Sequence, residues 1–165
     1  MIEVRRVEPG DAPVLRAVRL AALADAPTAF GSTYEREVAF ADAEWVSRAE
    51  AGAAGSDRAT WFAMSEDRVV GLVGGTHMPG GSPDPDLVSM WMDPEYRGRG
   101  IGRLLVAAVI DWARDTGASS LSLWVTRGND PALALYTAMG FVENGEYQAL
   151  PSDPCQDEIR MVLSL

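Results

Sequence analysis

The stretch Met92-Asp93-Pro94-Glu95-Tyr96-Arg97-Gly98-Arg99-Gly100-Ile101-Gly102 sets three glycines at alternate positions directly ahead of an apolar run with helical spacing. Glycine lets a backbone come close to a ligand, and the unpaired N–H groups of a helix start then face it with the helix dipole behind them. A diphosphate fits such a turn. Two common nucleotide loops do not account for it. A Walker loop needs Gly-Lys-Ser/Thr, and none of the fourteen basic residues of this chain is lysine. A dinucleotide fingerprint starting at Gly98 needs glycine or a close substitute at 103, where Arg103 stands.

Downstream of the turn, Ile101, Leu104, Leu105, Ala108 and Trp112 follow a helical period, with Arg103, Asp111 and Arg114 on the opposite face. Upstream, Leu87 to Met92 reads as a strand. The rest of the chain extends the alternation of strands and helices. Ile2 to Val7 predicts a strand, stopped by Pro9-Gly10-Asp11; Ala12 to Ala24 and Ala41 to Ala51 predict helices, and Gly52 to Asp57 a loop. Thr60 to Ser65 and Val69 to Thr76 read as a hairpin around Glu66-Asp67-Arg68, followed by a proline- and glycine-rich loop from Met78 to Pro85. Leu121 to Val125 is a strand. Asp130-Pro131 starts a short helix, Ala132 to Met139, that Gly140 ends. Phe141 to Tyr147 and Ile159 to Leu163 are the last strands, joined by a loop around Pro151 and Pro154. The order predicts an α/β layer structure with helices over a central sheet, in one domain spanning residues 1–165.

Composition narrows the function classes. The chain is 47% hydrophobic and 23% charged, as a soluble globular protein is. No apolar run reaches membrane-span length and Met1 to Gly10 lacks a secretory pattern, so a cytoplasmic location and no membrane partner are expected. Cys155 is the only cysteine and His77 the only histidine, which argues against a metal site. A net charge of −10 disfavours nucleic acid as a partner and would favour a cationic one.

The turn resembles the acyl-CoA loop of the GNAT (GCN5-related N-acetyltransferase) family, whose Gln/Arg-x-x-Gly-x-Gly/Ala pattern is met by Arg97, Gly100 and Gly102. The run Asn129-Asp130-Pro131-Ala132-Leu133-Ala134-Leu135-Tyr136-Thr137-Ala138-Met139-Gly140-Phe141 resembles the family's second signature, and the two together with the element order cover nearly the whole chain. The resemblance implies a mixed, mostly antiparallel central sheet flanked by helices on both faces. It implies acetyl-CoA as co-substrate, with the backbone of Arg97, Gly98, Arg99, Gly100, Ile101 and Gly102 on the pyrophosphate. Met90, Trp91 and Met92 would run along the pantetheine arm, which Asn129 would also contact. Tyr136 would sit at the sulfur as the catalytic acid.

A thioester is attacked only by a neutral amine, and an alkylamine of pKa near 10.4 is about one part in a thousand neutral at pH 7.4. A base or a desolvating pocket must supply the rest, while a tyrosine hydroxyl can protonate the departing thiolate and a backbone N–H near Met92 can polarise the carbonyl. The base candidates are Asp86, Glu35 and His77, each also readable as a surface or loop group. Where the family's ribosomal-protein acetylases carry a glutamate on the fifth strand, Trp124 stands here. The resemblance gives the acceptor wall to the first two helices and their connection, so Phe30, Tyr34 and Glu35 are the candidate substrate-binding residues. The expected acceptor is a primary amine on a small molecule. A protein amino group and a non-catalytic acyl-CoA-binding module stay open as alternatives, as does a homodimer as the assembly.

Overall fold

The computed structural model describes all residues, Met1–Leu165. Its frame is one seven-stranded sheet in the order β1-β2-β3-β4-β5-β7-β6. The strands are β1 (Ile2–Arg6), β2 (Arg58–Ser65), β3 (Arg68–Thr76), β4 (Asp86–Met92), β5 (Ser120–Thr126), β6 (Val142–Leu150) and β7 (Asp153–Ser164). Every neighbouring pair is antiparallel except β4 and β5, which run parallel. That pair meets only where Asp86 faces Ser122, and the strands then diverge. The helices are α1 (Ala12–Asp25), α2 (Tyr34–Val38), α3 (Asp42–Ala54), α4 (Ile101–Asp115) and α5 (Asp130–Ala138).

The pleat sends alternate side chains into two cores. On β5, Leu121, Leu123 and Val125 join Leu105, Val109 and Ile110 of α4 and Tyr136 of α5 under one face. On the other face Phe62, Leu72 and Trp91 pack with Leu15, Val18 and Leu23 of α1 and with Trp45 of α3. The even positions of β5, Ser122, Trp124 and Thr126, therefore look toward the α1 side, as do Glu158 and Arg160 of β7, their cross-strand neighbours.

Three departures from the sequence reading bear on the architecture. The α3 helix continues through Gly52 to Ala54, where a loop was expected, because Gly52 lies against the Thr60 side chain of β2, leaving no room for a Cβ. The short α2 was not expected, since five residues give no readable period; Thr33 caps it, accepting from the Arg36 amide at 3.2 Å. The loop between the last strands shrinks to a turn at Pro151 and Ser152, and β7 starts at Asp153. Pro154 fits there because the register slips between Leu150↔Asp153 and Ala149↔Asp157, so its position needs no ladder donor.

A buried carboxylate anchors α2, beside the apolar contact that Val38 makes with the α1-side core. Glu37 is fully buried and takes hydrogen bonds from Arg19 of α1 at 2.9, 3.1 and 3.2 Å and from Arg48 of α3 at 2.7 Å. Arg19 also donates to the Ser89 hydroxyl of β4 at 3.0 Å, so one carboxylate links three helices to the sheet. Burial by itself pushes the Glu37 carboxyl up, but hydrogen bonds from Arg19 and Ser32 and the charges of Arg19 and Arg48 outweigh it and hold it below the usual range. Replacing Glu37 with Gln strands two guanidinium groups and should lower stability by about 3–5 kcal/mol, read from denaturant midpoints. Because the folded-state pKa is depressed, the parent protein holds this contribution above the ordinary carboxylate range and loses it as pH falls through the lowered value. The destabilisation caused by Glu37→Gln should therefore shrink between about pH 6 and pH 3.

Candidate active site

The turn after β4 is built to present amides. Asp93 accepts from the Glu95 amide at 2.9 Å and starts a single 3-10 turn, Pro94–Tyr96. The chain then enters α4 through Gly98 and Gly100, at φ 76° and 78°, a left-handed conformation that glycine takes without penalty. Gly100 is the N-cap of α4 and carries no side chain to satisfy the helix start. None of the amides from Gly98 to Arg103 donates to a backbone or side-chain acceptor of the protein. Such a run of free donors, at the positive end of a fifteen-residue helix, suits a diphosphate. Gly102 has a different reason: a Cβ there would stand 3.1 Å from Leu135 of α5 and 3.3 Å from Met90 of β4. The first turn of α4 can thus close onto both elements flanking the strand gap.

Arg97 departs from its expected role. Its amide already donates to the Pro94 carbonyl at 3.4 Å, so the free donors begin at Gly98. Its side chain folds back, Nε to the Met92 carbonyl at 3.1 Å and Nη2 to Asp25 at 2.5 Å. Asp25 also accepts from Trp91 Nε1 at 3.0 Å; these bonds, the Trp91 one foremost, hold its carboxyl below the usual range despite burial. Arg97 thus ties the end of β4 to the end of α1. Trp91 likewise turns its side chain into the α1-side core, and only its backbone borders the gap.

The opening of β4 from β5 leaves an unpaired strand edge along Met90 to Met92. The Asp93 amide reaches back to Val70 of β3 at 2.9 Å. Antiparallel alternation then turns the Met92 amide and carbonyl away from β3, toward β5, and the bond from Arg97 to that carbonyl agrees. A bulge precedes it: Leu72 pairs with Trp91 but Gly74 with Val88, and Ser89 takes up the extra residue at φ 59°.

On the far side of the gap, Asn129 caps α5, its Oδ1 accepting from the Ala132 amide at 3.4 Å, which leaves the side-chain NH2 without a protein partner. Tyr136, about two turns on, is 5% exposed and packs edge-on to Phe141 with centroids 5.8 Å apart. Its hydroxyl makes no hydrogen bond within the protein, yet it is not among the sealed polar atoms, so the oxygen reaches an opening while the ring is core. Burial pushes the phenol well above its ordinary value.

On the α1 side, Phe30 is 4% exposed and lies beneath the Arg19 guanidinium, 4.8 Å from ring centre to Cζ. Tyr34 and Glu35 do line a hollow of about 540 Å³, together with Thr28, Thr33, Ser152 and Asp153. Thr126, at the end of β5, donates to the Thr28 carbonyl at 2.6 Å and so ties the hollow's rim to the gap. Asp86 is not a surface carboxylate. It is 4% exposed and takes both Nη atoms of Arg160, at 2.6 and 2.8 Å, across the closed end of the gap. His77 packs edge-on to Trp112, centroids 6.2 Å apart, beyond β3 at that same closed end. Cys155 is exposed and free.

Glu158 carries no local signal in the sequence. It is 8% exposed, accepts from Gln148 Nε2 at 2.6 Å, and lies beside Thr126 on the α1-side face. Burial pushes its carboxyl up, against the hydrogen bond from Gln148 and the charge of Arg160. No periodicity marks a buried carboxylate in a strand that reads Asp157-Glu158-Ile159-Arg160.

The model of the acetyltransferase (GNAT) family matches residues 20–141, taking in both signatures and the gap between β4 and β5. The chain belongs to the GNAT family. Curated relatives that it matches are named N-acetyltransferases. A mouse relative, probable N-acetyltransferase family 8 member 5, is 37% identical over 93 residues, which cover 54% of this chain and 41% of its own. The chain thus spans less than half the length of the curated relatives it matches. A GNAT acetyltransferase structure from Streptococcus pneumoniae superposes over 100% of both chains with TM-score 0.79 and 25% identity. The PaiA N-acetyltransferase of Thermoplasma acidophilum, solved with coenzyme A, has the same fold at TM-score 0.76 and 16% identity, over 100% of this chain and 99% of its own. The GNAT sheet, mixed and mostly antiparallel with helices on both faces, is the one expected. No helix is long and apolar enough to cross a membrane.

Gly100→Asp puts a carboxylate in the amide cradle, where the added Cβ meets nothing within 4 Å. Calorimetry should find acetyl-CoA binding abolished; the φ of 78° strains any L side chain, so the thermal midpoint should fall modestly while the cooperative unfolding transition persists. Undiminished affinity would remove the turn from the cofactor site.

Proposed function

We propose that this chain is a single N-acetyltransferase domain that moves the acetyl group from acetyl-CoA directly to a primary amine of a small molecule in the cytoplasm. The observation that carries the reading is the unpaired edge of β4, with free amides at its outer end. In this reading the amides of Gly98 to Gly102 hold the pyrophosphate. The edge from Met90 to Met92 pairs with the pantetheine arm as an added strand would. The Asn129 NH2 donates to the arm. The Met92 N–H, turned into the gap, polarises the thioester carbonyl. The hollow at Tyr34 and Glu35 has the volume of a small-molecule site and two carboxylates, Glu35 and Asp153, for a cationic amine.

Glu158 takes the proton acceptor's role. Its burial raises the carboxyl toward the pH at which a base both stays ionised and holds a proton usefully. The amine nitrogen attacks the carbonyl carbon as its proton passes to Glu158, directly or through a water; the C–S bond then breaks and the sulfur takes the charge. Tyr136 meets that charge. With its pKa pushed up, the phenol is neutral throughout the working range and always carries its proton. Full transfer to a thiolate of pKa near 8.5 is uphill, so the hydroxyl acts chiefly by a hydrogen bond that strengthens as the sulfur departs.

Tyr136→Phe keeps the ring against Phe141 and removes that hydrogen. Single-turnover rates at saturating substrates should fall about 10²- to 10⁴-fold with acetyl-CoA affinity nearly unchanged. A rate within about threefold of the parent protein, with lowered thermal stability, would make Tyr136 a packing residue only.

For Glu158 the readout is a pH profile. Activity should fall as pH drops through its raised pKa, because only the ionised form accepts a proton. Glu158→Gln should lower kcat/KM by about 10²-fold or more and abolish that acidic limb. A variant that keeps the limb would clear Glu158 of the role.

A further inference from the structure

A second cavity, of about 210 Å³, lies on the α1 side of the sheet over β2, β3 and β4. Its chemistry is the opposite of the surrounding protein's. The chain carries a net charge of −10, yet this lining includes Arg19, Arg48 and Arg58 and no aspartate or glutamate. Trp45, whose Nε1 is buried without a partner, and Thr60 complete the polar part of the wall, and Ser89 belongs to it as well.

The hydrogen-bond inventory shows which donors are left over. Arg19 is committed to Glu37 and to the Ser89 hydroxyl. Arg48 uses Nη1 on Glu37 and Nε on Glu44, which leaves Nη2. Arg58 engages only through its carbonyl, which accepts from Arg6 at 3.5 Å, so its guanidinium is uncommitted. Ser89 accepts from Arg19 and keeps its own hydrogen to give. Three guanidinium groups meet two carboxylates, Glu37 and Glu44, and one positive charge is in excess in a half-enclosed space.

Position connects this cavity to the reaction. Ser89 is the bulged residue of β4, held at φ 59°. Its side chain forms part of the cavity wall, while the backbone on either side of it is the strand edge that opens from β5. A group in the cavity therefore lies directly behind the strand edge along which the thioester would run. A volume of 210 Å³ equals roughly seven waters, room for a carboxylate and the few atoms that carry it.

We infer that the cavity is the subsite for a carboxylate of the acceptor, held by Arg58, Arg48 Nη2 and the Ser89 hydroxyl, so that the small amine acetylated by this enzyme is an amino acid or a similar carboxylate-bearing amine. This rests on the small-molecule acetyltransferase reading above and narrows it. A carboxylate matches a single excess positive charge, and the arginine fork suits its two oxygens. A phosphate dianion would leave net negative charge in the same space.

The test uses matched pairs of amines with acetyl-CoA: glycine and longer α- and ω-amino acids, their C-terminal amides, and phosphoethanolamine. At least one acid should exceed its own amide in kcat/KM by tenfold or more, although the amide has the less basic and more readily neutral amine. Arg58→Gln, at an exposed position, should bring that ratio to within about threefold, chiefly through a raised KM for the acid, with a far smaller effect on the neutral amides. Equal use of acid and amide, a ratio untouched by Arg58→Gln, or preference for phosphoethanolamine would each overturn the proposal. If no amine in the panel is acetylated, the small-molecule reading fails first, and binding decides the subsite separately. Protein saturated with coenzyme A should then bind N-acetylglycine at least tenfold tighter than N-acetylglycinamide by calorimetry, and Arg58→Gln should remove the difference. Equal binding of the two in the parent protein would overturn the carboxylate site on its own.

Discussion

Much of this structure follows from two parallel strands meeting once and then parting. Asp86 of β4 faces Ser122 of β5, and beyond that pair no ladder bonds join the strands. Backbone groups left unpaired inside a protein are costly, so an open strand edge in mid-sheet persists only where something else is meant to pair with it. The sheet survives the interruption because other pieces bridge it. Arg160 reaches from β7 past Trp124, its Cζ 5.1 Å from that ring, to a two-pronged ion pair with Asp86, and so fastens the closed end. At the open end Arg97 and Asp25 tie the strand terminus to α1, and Leu135 of α5 meets the first turn of α4 at Gly102.

These fastenings are polar, and the interior beyond them is not. One core under α4 and α5 and another under α1 and α3 supply the apolar burial that folds the chain, while the gap between them is bordered by amides, hydroxyls and ion pairs. The Arg19–Glu37–Arg48 cluster is the extreme case: it stabilises less by its own energy than by the cost of leaving any member alone. It also sets the bulged Ser89 in place from the α1 side. Stability and site geometry are therefore coupled through the same arginines, which gives an acidic, lysine-free chain a local concentration of cations beside the strand gap.

The strands and long helices were legible because their signals are local. Alternation over Leu121 to Val125, helical spacing from Ile101 to Trp112, and proline and glycine punctuation each depend on a few neighbouring residues. The turn from Gly98 to Gly102 was legible for the same reason, since a left-handed backbone and a close approach are demands that glycine alone meets well. What failed to read was long-range. Asp86 reads as a loop-edge acid until Arg160, 74 positions later, is brought onto it. Glu158 gives no signal until β5 and β6 close on either side of its strand.

The sequence by itself determined the family, the position of the glycine-rich turn and the candidate tyrosine, all of which rest on spacing within single segments. Tertiary structure alone decided which carboxylates are buried, which arginine donors stay free, and that the Met92 amide and the Ser89 side chain belong to the two sides of one strand edge. The physical reason is that charge pairing and desolvation are set by what packs opposite a side chain. In a sheet ordered β4-β5-β7-β6, those partners come from strands distant in sequence.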